Sequence, residues 1–282
     1  MKRVLGRLAA VAYPALTREV RAGNIGGPKH RMKRLIARAE LNRLEARKQR
    51  AAVEHALTRR WTSENLPVGY YDAYADRFER MFHGPHARII DWLKDFAPKA
   101  GVTHVIEVGC GEGRVLAEMS RQIPRIARWI GVDINETIIA RNRETYAGAP
   151  ALDFAAADAD QWLQDHLGPG ALLMTYGGVM EYIAPETLTR WFELVAEKGG
   201  AGILLTEPVD PDHDLIGDPA SHLWGFEETY SHNHRALLEA LGYHVLRRSR
   251  VTSEGYRWIM ILAAPETTGQ TEPRVPADLK EF

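Results

Sequence analysis

One stretch of this chain has the residue types and spacing to hold a charged ligand: Glu107-Val108-Gly109-Cys110-Gly111-Glu112-Gly113. The β-branched run at residues 103–108 suits a buried strand, and residues 115–119 read as a helix. The glycines between them permit positive φ and let a ligand lie against the backbone. Twenty residues past Gly113, the apolar run 129–132 ends in Asp133. A glycine turn with an acid at the tip of the next strand is the layout that grips a nucleotide-like cofactor. The turn wraps the polar tail and the carboxylate accepts ribose hydroxyls. The spacing is E-x-G-x-G-x-G, not the G-x-G-x-x-G of dinucleotide sites. Glu107 would repel a pyrophosphate and suits a cofactor with a cationic end. Cys110 sits inside the turn, where a small side chain is needed, and no histidine lies near it in sequence, so nucleophilic catalysis is set aside.

On these residues the chain resembles the class I S-adenosylmethionine (SAM) dependent methyltransferase family of the small-molecule type. The resemblance implies SAM as cofactor, held by Glu107, Gly109, Gly111, Gly113 and Asp133. It implies Ile134 against the adenine face. It also implies Asp158 as acceptor for the adenine amino group and the backbone of Ala159 beside the ring. Asp160 is a rival to Asp158 but equally suits the N-cap of the next helix. The fourth strand tip, Thr175-Tyr176-Gly177-Gly178-Val179-Met180-Glu181-Tyr182, resembles the family segment beside the sulfonium, with Thr175 and Tyr176 toward the cofactor. Tyr182 replaces a frequent histidine there. The aromatic run that opens at Tyr70 and reaches Phe78 resembles the family's lid helix over the methionine end of SAM.

Methyl transfer from a sulfonium asks mainly for positioning, worth ~7–11 kcal/mol. A hydroxyl acceptor also needs a base, usually a histidine or a carboxylate. His213, His222, His232 and His234 cluster after the fifth strand, with Trp224 among them. The resemblance puts that segment over the acceptor. His232 and His222 are therefore the first candidates for the catalytic base, and Glu181 is the reserve. No Cys/His zinc pattern is present. Asp210-x-Asp212-His213-Asp214 is acidic, but Pro211 favours a turn, and no metal is expected.

The elements that must position these residues alternate. Strands are predicted near 103–108, 128–132, 152–156, 171–175 and 202–206, then near 243–250 and 256–263. Helices are predicted near 114–122, 136–146, 160–167, 185–197 and 230–241. Such alternation implies an α/β fold with a doubly wound, mostly parallel sheet. The resemblance implies seven strands, the last antiparallel, in a Rossmann-like methyltransferase fold.

Composition divides the chain further. The apolar fraction of 45% is ordinary for a globular protein. Residues 1–60 hold 16 Lys/Arg against 4 Asp/Glu, a net of +12, whereas residues 61–282 hold 20 against 33, a net of −13. The expected division is a basic helical extension at 1–60, a methyltransferase domain at 61–265 and a polar tail at 266–282. Residues 28–60 read as one uninterrupted helix with the seam Met32, Leu35, Ala39, Asn42, Ala46, Gln49, Val53, Ala56. The extension is expected to be dispensable for cofactor binding and to serve assembly into a homo-oligomer or peripheral contact with an anionic membrane. No binding motif or interleaved aromatics support nucleic acid as a partner. One cysteine excludes an intrachain disulfide, and no apolar run approaches a membrane span. The stretch at 8–16 imitates a signal peptide but is short and contains Pro14. A cytoplasmic protein is expected, at most peripheral to the inner membrane face. The leading expectation is methyl transfer to a hydroxyl of a sugar or natural product. The rivals are methylation of a lipid or membrane-bound glycan and a non-catalytic SAM-binding assembly subunit.

Overall fold

The computed structural model describes residues 2–26, 29–65, 75–253 and 255–266. The basic extension forms α1 (Lys2–Ala12), α2 (Pro14–Arg21), α3 (His30–Ala46) and α4 (Arg50–Thr58). Two helices, α5 (Ala75–Phe82) and α6 (Arg88–Ala100), lead into the sheet. There β1 (His104–Val108), β2 (Arg128–Asp133), β3 (Leu152–Ala156), β4 (Ala171–Tyr176) and β5 (Gly202–Val209) alternate with helices. These are α7 (Arg114–Gln122), α8 (Glu136–Thr145), α9 (Ala159–His166) and α10 (Pro185–Glu197). A hairpin of β6 (His222–Trp224) and β7 (Thr229–Ser231) follows, then α11 (His234–Ala240), β8 (Tyr243–Ser253) and β9 (Tyr256–Pro265).

The main sheet has the order β3-β2-β1-β4-β5-β9-β8. β1 to β5 run parallel and β9 is antiparallel to both neighbours, as expected. Strand side chains alternate between two cores because successive residues point to opposite faces. Val105, Leu172, Met174 and Leu204 pack with α6 and α7 on one face. Ile106, Val108, Leu173, Ile203 and Leu205 pack with α9 and α10 on the other. Strand order reverses between β1 and β4, so the crevice at their carboxyl ends is where such sheets bind ligands.

Two local expectations are corrected. The helix expected from 28 to 60 breaks at residues 47–49, where Lys48 adopts φ +55. The break turns α4 back, so that Leu41 and Leu57 both bury against Tyr182 and Tyr230. An alanine-rich seam cannot compete with that aromatic contact. Arg50 spans the break to Glu45 at 2.8 Å. The helix expected at 230–241 begins only at His234, capped by Asn233, because Thr229, Tyr230 and Ser231 join the hairpin. Pro28, expected to open the long helix, lies outside the described residues, as does the tail beyond Glu266.

Candidate active site

β1 delivers the chain into the glycine turn, and Asp133 at the tip of β2 ties it down. Asp133 Oδ2 accepts from Gly111 N at 2.9 Å, and Oδ1 accepts from Asn135 N at 2.9 Å. Asn142 donates to Gly111 O at 2.6 Å. Gly109 sits at φ +69, and a Cβ there would come within 2.6 Å of Val179. Gly113 sits at φ +70 and a Cβ there would strike the Phe154 ring. Gly113 thus lets α7 pack on β3 and does not line the cavity described next.

A cavity of about 700 Å³ opens over this turn, lined by Glu107, Gly109, Gly111, Asp133 and Ile134. Glu107 is buried at its wall, and its Oε2 has no hydrogen-bond partner. Burial, and the Asp133 carboxylate after it, hold the Glu107 carboxyl well above the usual carboxylate range. A buried acceptor with unused capacity calls for a donor or cation from a ligand. Gly109 and Gly111, both at positive φ, present bare backbone along the cavity wall. Both features fit SAM. Cys110 is buried in the turn and its thiol is pushed well up, which agrees with a packing role.

Ala159, Asp158 and Asp160 line the next part of the cavity. The cap is Asp158, not Asp160: its Oδ1 accepts from Asp160 N at 2.9 Å at the start of α9. Asp160 instead meets Arg190 at 2.9 Å and the Trp191 indole N–H at 3.0 Å. At the tip of β4, Tyr176 lines the cavity and its Oη lies 2.9 Å from His86 Nδ1. Thr175 is buried beneath it and is not part of the wall. Phe78 closes this end with Met81 and Trp258, whereas Tyr70 lies outside the described residues.

The histidines expected over the acceptor are not brought to the cavity. His232 is buried between Ser221 Oγ (2.8 Å from Nδ1) and Met180 O (3.0 Å from Nε2). Burial drives its pKa down to about 3, so it is a neutral structural group. His234 is also buried and held well below its ordinary value. His222 lies 3.1 Å from Asp210, and His213 lies 2.8 Å from Ser231 Oγ. Glu181 accepts from Thr229 at 2.6 Å and is likewise off the wall. The cause is the hairpin, which folds this segment onto the 3₁₀ turn at Met180–Tyr182. Among the described residues one group could hold a metal ion. His213, Asp218 and His222 bring ligand atoms within 4.8 Å of one another, outside the cavity lining.

Sequence reasoning missed the far wall. Lys48 at the helix break, Glu54, His55 and Thr58 of α4, and Trp61 line the same cavity. Glu54 accepts from Ala184 N at 2.7 Å. Trp61 O accepts from Asn135 Nδ2 at 3.1 Å, and Ser63 Oγ donates to Asn135 Oδ1 at 2.9 Å. Trp61 and Ser63, just past the extension, therefore brace the loop that follows Asp133, while residues of the extension itself reach the cavity wall. Nothing in the sequence signalled this, because α4 carries no motif. His86 and Trp258 were missed for the same reason.

A parallel sheet of this order with a glycine turn and acidic strand tip is the SAM-binding α/β fold. Residues 105–199, about a third of the chain, match the family model described as a methyltransferase domain. No curated protein sequence matches it. Its fold is similar to that of a SAM-dependent methyltransferase from Leishmania major. The TM-score is 0.50 at 14% identity, over 67% of this chain and 76% of that one. Magnesium protoporphyrin IX methyltransferase from Synechocystis PCC 6803, with bound SAM, scores 0.46 at 15% identity over 70% and 94%. A tRNA methyltransferase from B. subtilis scores 0.42 at 10% identity over 63% and 65%.

Proposed function

We propose that the protein methylates a small organic acceptor, a hydroxyl oxygen of a sugar or natural product, seated at the aromatic end of the cavity. One observation carries this reading: a single cavity of about 700 Å³ runs from the glycine turn to Phe78, Met81, Tyr176 and Trp258. That volume falls within the ~300–1,000 Å³ of small-molecule sites. The lining mixes Lys48, Arg114 and Arg190 with Glu54, Glu112 and Asp158. Polynucleotides are held instead in grooves of one positive sign.

SAM supplies an activated methyl group on its sulfonium. The chain's own part is to hold the acceptor oxygen in line, exclude water and receive the oxygen's proton. Tyr176 and His86 form the pair in reach of such a proton, with the buried imidazole 2.9 Å behind the phenol. In this reading Tyr176 passes its proton to His86 as it takes the acceptor's.

Calorimetry with SAM and a screen of hydroxylated acceptors with methyl-labelled SAM test the proposal. Tyr176→Phe should keep cofactor affinity within about threefold and lose ~10²–10⁴ in kcat. Full turnover in both Tyr176→Phe and His86→Ala would remove the relay. Label found on nitrogen or carbon would remove the hydroxyl acceptor. Tight SAM binding without transfer to any acceptor would favour the non-catalytic assembly subunit.

A further inference from the structure

The basic extension carries an apolar face that its own fold leaves uncovered. α1 packs on α3 through Gly6 and Ala9, and a Cβ on Gly6 would come within 2.2 Å of Leu35 O. Leu16 and Val20 of α2 complete that contact with Ile36 and Ala37. The inward face of the helix pair is thus fully used. Yet Leu5, Leu8 and Val11 on the other side of α1 are 49%, 63% and 83% exposed, and Tyr13 at the turn is 47% exposed. Ala12, Pro14 and Ala15 beside them are exposed as well. Among the described residues only Ile216, Phe226 and Tyr256 are comparably exposed large hydrophobics, and they sit apart from one another in sequence. Single exposed apolar side chains are ordinary, but a row of them on one helix face marks a contact surface.

Charge identifies the occupant. Arg7 on α1 itself, Arg18 and Arg21 on α2, and Lys29 and Arg31 at the start of α3 are exposed, in an extension that is net +12. Acidic groups of the catalytic domain that meet the extension do so elsewhere, Glu228 on Arg38 and Glu186 on Arg50. A second copy docked face to face would bring equal positive charge against this one. An anionic bilayer satisfies both features, since its headgroup boundary takes leucine and valine while its phosphates take arginine. A tyrosine, apolar in body and polar at its tip, suits that boundary. No helix among the described residues is long and apolar enough to cross a membrane, so the contact lies in the interface plane.

We propose that α1 and the Tyr13–Pro14 turn dock this methyltransferase on an anionic membrane surface. Full-length protein is sedimented with vesicles of mixed phosphatidylglycerol and phosphatidylcholine, and with vesicles of phosphatidylcholine alone. It should bind the mixed vesicles at least ~10-fold more tightly, and added salt should release it. Leu8→Glu with Val11→Glu should lose vesicle binding at least ~10-fold and keep the wild-type melting temperature and SAM affinity, because both side chains face solvent. Arg7→Glu with Arg18→Glu should weaken the mixed-vesicle binding and leave the apolar face intact. Equal sedimentation of the Leu8/Val11 variant and wild type would overturn the proposal. So would equal binding to phosphatidylcholine alone. A wild-type dimer by light scattering that the Leu8/Val11 variant dissociates, without vesicle binding, would make the face a self-association surface instead.

Discussion

The glycine turn after β1 and the histidine segment after β5 both belong to the carboxyl edge of one sheet, and both are dense in groups that could do chemistry. They use those groups in opposite ways. At the turn, Glu107 keeps a buried oxygen without a partner at the wall of a 700 Å³ cavity. In the histidine segment, His213, His222 and His232 meet polar partners within the protein, and none of the three lines the cavity. Polar capacity left unused beside a void marks a ligand site. Polar capacity consumed inside the packing marks structure.

The sharpest test of this contrast is at the turn. Gly109→Val should lower SAM affinity by at least ~100-fold, because its Cβ is already blocked by Val179 and its φ is +69. Calorimetry showing unaltered affinity would mean that the turn does not cradle the cofactor.

The next effect falls on stability. His232→Ala should cost about 2–4 kcal/mol of unfolding free energy, by leaving a cavity and removing the hydrogen bonds to Ser221 Oγ and Met180 O. SAM affinity of the folded variant should stay within about twofold. A folded variant that loses turnover with no loss of stability would return His232 to catalysis. The pH dependence separates the two roles further. The folded pKa of His232, about 3, is depressed below the ordinary histidine value. Its contribution is therefore complete above ~6.5 and is lost as pH falls from there toward 3, by up to ~1.4 kcal/mol per pH unit. Urea midpoints of the wild type should fall across that window more steeply than those of the variant. Parallel slopes would show that His232 is not buried neutral.

The smallest effect probes the boundary between the regions. Ser63→Ala removes a hydrogen bond to Asn135, which also donates its backbone N–H to the Asp133 carboxylate. A loss of SAM affinity of about two- to tenfold is expected, as for one hydrogen bond of ~0.5–1.5 kcal/mol. An unchanged dissociation constant would detach the linker at residues 61–63 from the cofactor site.

What could be read without coordinates was whatever depends on near neighbours in the chain. The strand–turn–helix at 103–122, the acid at the next strand tip and the alternation of elements are short-range patterns of glycine, β-branched residues and helix periodicity. They sufficed for the sheet and the turn, and the family resemblance they carry implied the cofactor. The same patterns could not say that Asp158 caps α9 while Asp160 meets Arg190, since two acids separated by one residue carry equal local preference for a cap. Nor could they break the helix at Lys48, bring α4 against Ala184 from 130 residues away, or turn four histidines away from the cavity. Those outcomes were decided by which side chains bury together: Leu41 and Leu57 on Tyr182 and Tyr230, and His232 beneath Met180. Burial is a property of the assembled core, summed over contacts distant in sequence, and it prevails over the weak local preferences of an alanine-rich helix or a run of histidines.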